Sequence, residues 1–118
     1  MSEVRGLALI TVSNPDGVVD VARRATDFID AHLPGTLVWE VFLDRDSGRG
    51  LMYQLHASEE AERDYEQAKV EQSFQRDLGQ HAELDEIIVL SPITTPEAKA
   101  ELEQFGGVSM DRVAGVSR

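Results

Sequence analysis

No cysteine occurs in the 118 residues, which removes disulfides, thiolate nucleophiles and iron–sulfur ligation at once. Histidine is scarce as well. The three present, His32, His56 and His81, have neither HxxxH nor facial-triad spacing, so no metal and no other cofactor is expected. Basic residues are few: 11 lysines and arginines stand against 22 acidic residues, a formal net charge of -11. Such a chain repels a phosphate backbone, and no basic patch interrupts the acidity, so nucleic acid is not an expected partner. Apolar runs are too short to cross a bilayer. The opening "MSEVRG" lacks the basic stretch and apolar core of a secretory signal, so the expectation is a cytoplasmic protein with no membrane partner. "SNPDG" and "SGRG" lack the glycine order of a nucleotide cradle, and Asp16, Asp44 and Asp46 read as turn residues rather than a calcium loop.

A composition of 42% hydrophobic and 28% charged residues suits a folded globular chain. At this length a lone domain covers only part of its apolar surface, and a second copy would enlarge the core. "EVRGLALITV" reads as a strand with apolar side chains on both lines of alternation, hence covered on both faces. Beyond "SNPDG" the spacing turns helical. Val18, Ala22, Ala25, Ile29 and Leu33 form one stripe, Arg23, Arg24, Asp27 and Asp30 lie largely outside it, and "LPG" ends the helix.

Period two returns in "TLVWEVFLD", which sets Leu37, Trp39, Val41 and Leu43 opposite Val38, Glu40 and Phe42. A polar turn "RDSGRG" leads to its antiparallel partner "LMYQLHA", where Leu51, Tyr53 and Leu55 point one way and Met52, Gln54 and His56 the other. Ser58 is a candidate cap, followed by Glu59 and Glu60 beside the open amides of a first helical turn. Ala61, Tyr65 and Ala68 share one stripe, but Val70, Phe74 and Leu78 lie on another, so a break is predicted near residues 69 to 72. A last core strand spans roughly Leu84 to Leu90, with Pro92 stopping it. After it, Thr95 and Pro96 read as the cap and first position of a short helix, and "VSMDRVAGVSR" as either a mobile tail or an arm that packs on a partner.

The order strand, helix, strand, strand, interrupted helix, strand predicts an α+β, ferredoxin-like split βαβ fold (βαββαβ), with a four-stranded antiparallel sheet and helices on one face. Residues 1–91 would form this domain and 92–118 a C-terminal extension with a short helix and tail. The other sheet face would then carry Leu7, Leu9, Val38, Phe42 and Met52. A patch of that size predicts a homodimer closed through its sheet faces, with room for a small hydrophobic or aromatic ligand.

From "LPGTLVWEVFLDRDSGRGLMYQLHASEEAERDY" the chain resembles the antibiotic-biosynthesis-monooxygenase-like family of dimeric α/β barrels. Its run from a proline-glycine helix exit, through an aromatic-glutamate strand and a hairpin, into "SEEA" is similar to that family's, and the likeness extends more loosely from the first strand to Leu90. Trp39 and Glu40 match the aromatic-glutamate pair. Gln54 takes the place usually held by a glutamate, His56 that of an aromatic, Tyr65 that of a helix histidine, and Thr11 lies near an asparagine that faces the cavity in some members. The resemblance implies a dimeric barrel and a cofactor-independent monooxygenase acting on a small aromatic, quinol or polyketide-like molecule. The asparagine, tryptophan and histidine pattern of haem-degrading members is absent.

Read from the residues, Glu40, Gln54 and His56 would project to the face opposite the first helix, inside an apolar chamber with Val38, Phe42 and Met52. There His56 would take a proton from a phenolic or enolic substrate while Gln54 or Tyr65 orients its oxygen, and Glu40, Phe42 and Met52 would bind substrate; the family resemblance implies Thr11 as a further substrate contact. Each also has a purely structural reading. His56 would be a satisfied strand-end histidine, Glu40 an intersubunit partner, Tyr65 a packed ring with a bonded hydroxyl, and Trp39 and Tyr53 core beneath the helices. Three functions stay open: the monooxygenase, a noncatalytic small-molecule binder, and a structural or assembly dimer whose seam is filled by side chains.

Overall fold

The computed structural model describes residues 3–90, 96–104, 106–116 and 118. Asn14 opens the first helix by accepting a hydrogen bond from the Gly17 amide, with Pro15 in the first turn where its missing N–H costs nothing. That helix, α1 (Pro15–His32), buries Val18, Val21, Ala25 and Ile29. It packs on strands β1 (Val4–Val12), β2 (Thr36–Asp44) and β3 (Arg49–His56), where Ile10, Val12 and Val18 form the centre of a core that Val41, Leu43, Met52, Leu78 and Ala82 complete.

Ser58 caps α2 (Glu59–Glu71) by accepting from the Ala61 amide at 3.1 Å. The second helix breaks where two apolar stripes compete. Ser73 adopts the left-handed conformation with φ of 63°, and α3 (Phe74–Gly79) leaves in a new direction. Tyr65 and Ala68 of α2 and Phe74 of α3 are thereby all buried. Phe74 meets Phe28 of α1 edge-on at 5.9 Å, and Arg24 lies over its ring while pairing with Asp77.

Strand β4 (Ala82–Val89) follows, then α4 (Pro96–Gln104) and β5 (Val108–Ser109). The sheet runs β2-β3-β1-β4-β5; its first four strands are antiparallel and β5 joins β4 in parallel. The expected α+β, ferredoxin-like order is present, but the sheet is mixed and five-stranded rather than four-stranded and antiparallel. Two residues of the tail add the extra strand, because the outer edge of β4 offers unpaired backbone groups; the Met110 amide donates to the Val89 carbonyl at 2.8 Å. Two residues are too short a segment to announce themselves by alternation. The predicted roles of Pro92 and Thr95 lie outside the described residues. Among the described residues no helix is long and apolar enough to cross a membrane.

Register decides which side chains share a face. On the helix-covered side, Val41, Met52, Ala8 and Ile87 stand in one row across the sheet, and Trp39, Gln54, Gly6 and Val89 in the next. On the opposite side the rows read Val38, Leu55, Arg5; then Glu40, Tyr53, Leu7, Ile88; then Phe42, Leu51, Leu9, Glu86. An apolar outer face therefore exists, with Phe42 53% exposed. Met52, expected on it, instead packs into the core, and Leu51, Tyr53 and Leu55 take the outward positions.

Close packing of α2 on the α1–β2 turn depends on Gly35, where a methyl group would stand 2.6 Å from the Ala61 Cβ. Gly35→Ala is expected to destabilise the protein by about 1–3 kcal/mol in urea denaturation, through overpacking. Gly79→Ala, where an added Cβ meets nothing within 4 Å, is expected to be neutral or slightly stabilising.

Candidate functional site

His56 ends β3 on the helix-covered side and is 1% exposed. The Gln54 carboxamide oxygen accepts from its Nε2–H at 2.7 Å, which leaves Nδ1 as the acceptor for the Thr36 hydroxyl at 3.0 Å. A bulge makes the second bond available. Thr36 and Val38 oppose the adjacent residues His56 and Leu55, so Leu37 is the extra residue and Thr36 turns onto the helix side while Val38 stays on the outer face. Burial holds the imidazole pKa below its ordinary value, against the opposing pull of the Glu66 carboxylate. The ring links β3 to β2 through one hydrogen bond at each nitrogen.

Tyr65 reaches the same place from α2, its ring 5.0 Å from that of His56. Its hydroxyl oxygen accepts from the Trp39 indole N–H at 3.0 Å. Burial pushes its pKa up to about 12, and the Trp39 hydrogen bond only partly opposes that rise. Thr36, His56, Gln54, Tyr65 and Trp39 thus form a polar group between sheet and helix in which His56 and Tyr65 are buried and the other three half-buried. Among the described residues no buried side-chain nitrogen or oxygen lacks a partner.

Trp39 has a second environment. Its indole lines a groove open to solvent between α1 and the edge strand β2, made of two lobes of about 400 and 310 Å³ that both include Thr26 and Trp39. The larger lobe is walled by Val18, Val19, Ala22, Val41 and Leu43, with Arg23 and Asp27 at its rim; the smaller adds Ile29, Leu33, Leu37 and Asp30. The groove thus sets an indole and aliphatic side chains beside carboxylate and guanidinium groups. No group of three or more His, Asp or Glu side chains among the described residues is placed to hold a metal ion.

The structure separates the residues that sequence spacing had placed together. Gln54, His56 and Met52 lie on the helix-covered side with Tyr65, whereas Glu40, Phe42 and Thr11 lie on the outer face, so the sheet itself divides the expected chamber. Thr11 donates its hydroxyl to Asp85 at 2.6 Å, and Glu40 sits beside Tyr53. Tyr53 was expected in the core beneath the helices and is outward; Trp39, expected there too, is inward. Thr36 escaped notice because simple alternation puts it opposite Trp39, and only the bulge brings it round. Arg23, Asp27 and Asp30 had been read as the solvent side of α1, and their spacing along that helix was the available signal.

No family model and no curated protein matches this chain by sequence. Solved structures match its fold. MupZ from Pseudomonas fluorescens superposes over 100% of this chain and 96% of its own, with a TM-score of 0.75 at 11% identity. SnoaB from Streptomyces nogalater, a cofactor-independent oxygenase, covers 81% of this chain and 98% of its own, with a TM-score of 0.65 at 17% identity. A Bacteroides thetaiotaomicron protein assigned as an antibiotic biosynthesis monooxygenase covers 79% of this chain and 90% of its own, with a TM-score of 0.59 at 11% identity. The chain thus shares its fold with structures of the antibiotic-biosynthesis-monooxygenase-like and cofactor-independent oxygenase type.

Because His56 is harder to protonate when folded, the unfolded state takes up its proton first as pH falls. The stabilising effect is therefore full above the ordinary value of 6.5 and is lost as pH drops from there through the lower folded value. The wild-type protein is expected to lose stability over this interval by at most about 1.4 kcal/mol per pH unit relative to His56→Gln. Urea denaturation of both proteins between neutral pH and the onset of carboxylate titration measures the difference, and parallel curves would show that His56 does not carry it.

Proposed function

We propose that this chain is a cofactor-independent monooxygenase that binds a small aromatic, quinol or polyketide-like molecule in the α1–β2 groove and acts as a homodimer. The observation that carries the reading is the placement of Trp39, whose indole lines an open groove of mixed polar and apolar side chains and is pinned by Tyr65. The fold shared with SnoaB adds support.

In this reading the substrate stacks on Trp39, and Asp27 or Asp30 takes the proton of a phenol or enol while Arg23 stabilises the oxyanion. The electron-rich anion passes one electron to dioxygen. Recombination of the resulting radical with superoxide forms a carbon–oxygen bond, the protonated aspartic acid returns its proton to give the hydroperoxide, and loss of the C–H proton with hydroxide as water leaves a carbonyl. One oxygen atom enters the product and the other leaves as water; the four electrons that this reduction of dioxygen takes all come from the substrate, so no external reductant is needed. His56 and Gln54 act as positioning residues here. A general base needs a lone pair facing the substrate, and the Nδ1 lone pair of His56 is already engaged by Thr36. Tyr65 orients the indole through its hydroxyl. The outer-face residues Glu40, Phe42 and Thr11 belong to the homodimer seam rather than to substrate, because the apolar rows around them need a cover and a second identical face supplies one.

A noncatalytic small-molecule binder is the second reading, and the full internal satisfaction of His56 favours it. An assembly dimer without a ligand is the third, favoured by the outer apolar face alone. Oxygen uptake with electron-rich phenols and hydroquinones separates these readings. The expected result is protein-dependent consumption with one atom of ¹⁸O₂ in the product, reduced by about tenfold or more in Trp39→Phe, which keeps a ring but loses the N–H that fixes it. Tight binding without uptake would establish the binder, and neither binding nor uptake would leave the assembly dimer.

A further inference from the structure

The bulge that turns Thr36 inward also sets three side chains in a line. The Thr36 hydroxyl donates to His56 Nδ1 at 3.0 Å, and His56 Nε2–H donates to the Gln54 carboxamide oxygen at 2.7 Å. A hydroxyl within hydrogen-bond reach of an imidazole whose second nitrogen is held by a third group is the arrangement that makes a weak alcohol a nucleophile. Such sets are recognised by geometry and role rather than by position in the chain. Gln54 fixes the tautomer that leaves the Nδ1 lone pair on the hydroxyl. Burial, which holds the imidazole pKa below 6.5, favours the unprotonated ring that a base requires. Of the three, only Thr36 lines the groove. His56 is sealed from water, whereas Thr36 is half-buried and shares the smaller lobe with Ile29, Asp30, Leu33, Leu37 and Trp39.

We propose that Thr36, His56 and Gln54 act as nucleophile, base and orienting acceptor for acyl transfer from a neutral ester with a short apolar acyl group, an activity distinct from the oxygenation proposed above. Thr36 Oγ1 adds to the ester carbonyl carbon while its proton passes to His56 Nδ1. The intermediate collapses, the carbon–oxygen bond to the leaving alcohol breaks, and that alcohol takes the proton from Nδ1. Water then adds to the acyl-threonine by the same route, releasing the carboxylic acid and restoring the Thr36 hydroxyl, so no oxidant or reductant is required. Leu33, Leu37 and Trp39 offer the acyl chain apolar walls, and the lobe's volume of about 310 Å³ limits its size. Asp30 in the same wall, on a chain of net charge -11, disfavours an anionic acyl group.

Two measurements on the full chain test this: hydrolysis of p-nitrophenyl butyrate, and labelling by phenylmethanesulfonyl fluoride followed by peptide mass mapping. The expected result is ester hydrolysis reduced by about tenfold or more in Thr36→Val and His56→Gln and kept in Thr36→Ser, with the sulfonyl group on Thr36. Gln54→Leu is expected to lose the hydrolysis and Gln54→Glu, which keeps an acceptor for Nε2–H, to retain it, a rescue that a packing role does not give. Near-ultraviolet circular dichroism of the single tryptophan reports whether each variant keeps its fold. Labelling is read on the parent chain, so it decides the matter where a variant does not fold. Hydrolysis unchanged in folded Thr36→Val, or absence of the sulfonyl group from Thr36, would overturn the assignment.

Discussion

A histidine sealed from water must find a partner for each ring nitrogen, and in this chain that demand organises the sheet. His56 obtains one partner from its own strand, Gln54, and the other from β2 by way of a bulge that turns Thr36 inward. Once the line Met52, Gln54, His56 faces the helices, the pleat leaves Leu51, Tyr53 and Leu55 no choice but the other face. The apolar outer surface, the need to cover it, and the division of the polar residues between two sides of the sheet all descend from that assignment.

The order of elements was legible because each carries its own period and its own punctuation. Proline and glycine close α1, Ser58 opens α2, and the change of stripe after Ala68 anticipates the break that Ser73 makes with its left-handed backbone. The faces of β3 were not legible. Ranking its two lines by hydrophobicity assigns Leu51, Tyr53 and Leu55 to the helices, and that ranking fails when the opposite face is also apolar. Here the more polar line is the inner one, because α2 delivers a tyrosine and β2 a threonine and a tryptophan to meet it. Hydrogen-bond complementarity across elements far apart in sequence decides the matter, and no local window contains it.

The same separation explains why the groove went unseen. Its walls come from the flank of α1 that faces the edge strand, where Ala22 and Thr26 are small enough to leave space over Trp39. An amphipathic reading divides a helix into inside and outside, yet a groove forms at the boundary between them. Trp39 connects that boundary to the interior. Its N–H is committed to Tyr65, a hydroxyl whose ionisation burial has pushed out to about 12, so the indole presents a fixed ring to the groove over the ordinary range of pH.

Charge gives the last constraint on the proposed approach of two such chains. With a net charge of -11 each, copies repel one another at a distance, though salt screens this beyond roughly 8 Å at physiological ionic strength. The acidic side chains of the first turn of α2, Glu59, Glu60 and Glu62, lie on a helix packed against the inner side of the sheet, away from the outer rows. On those rows Glu40 and Glu86 stand on different strands at opposite flanks, β2 and β4, separated by apolar side chains of β3 and β1. An interface centred on Tyr53, Leu7 and Leu51 therefore keeps both carboxylates toward its margins, where water still reaches them. The sheet thus gathers its apolar residues where a second copy would approach and leaves most of its charge where it would not.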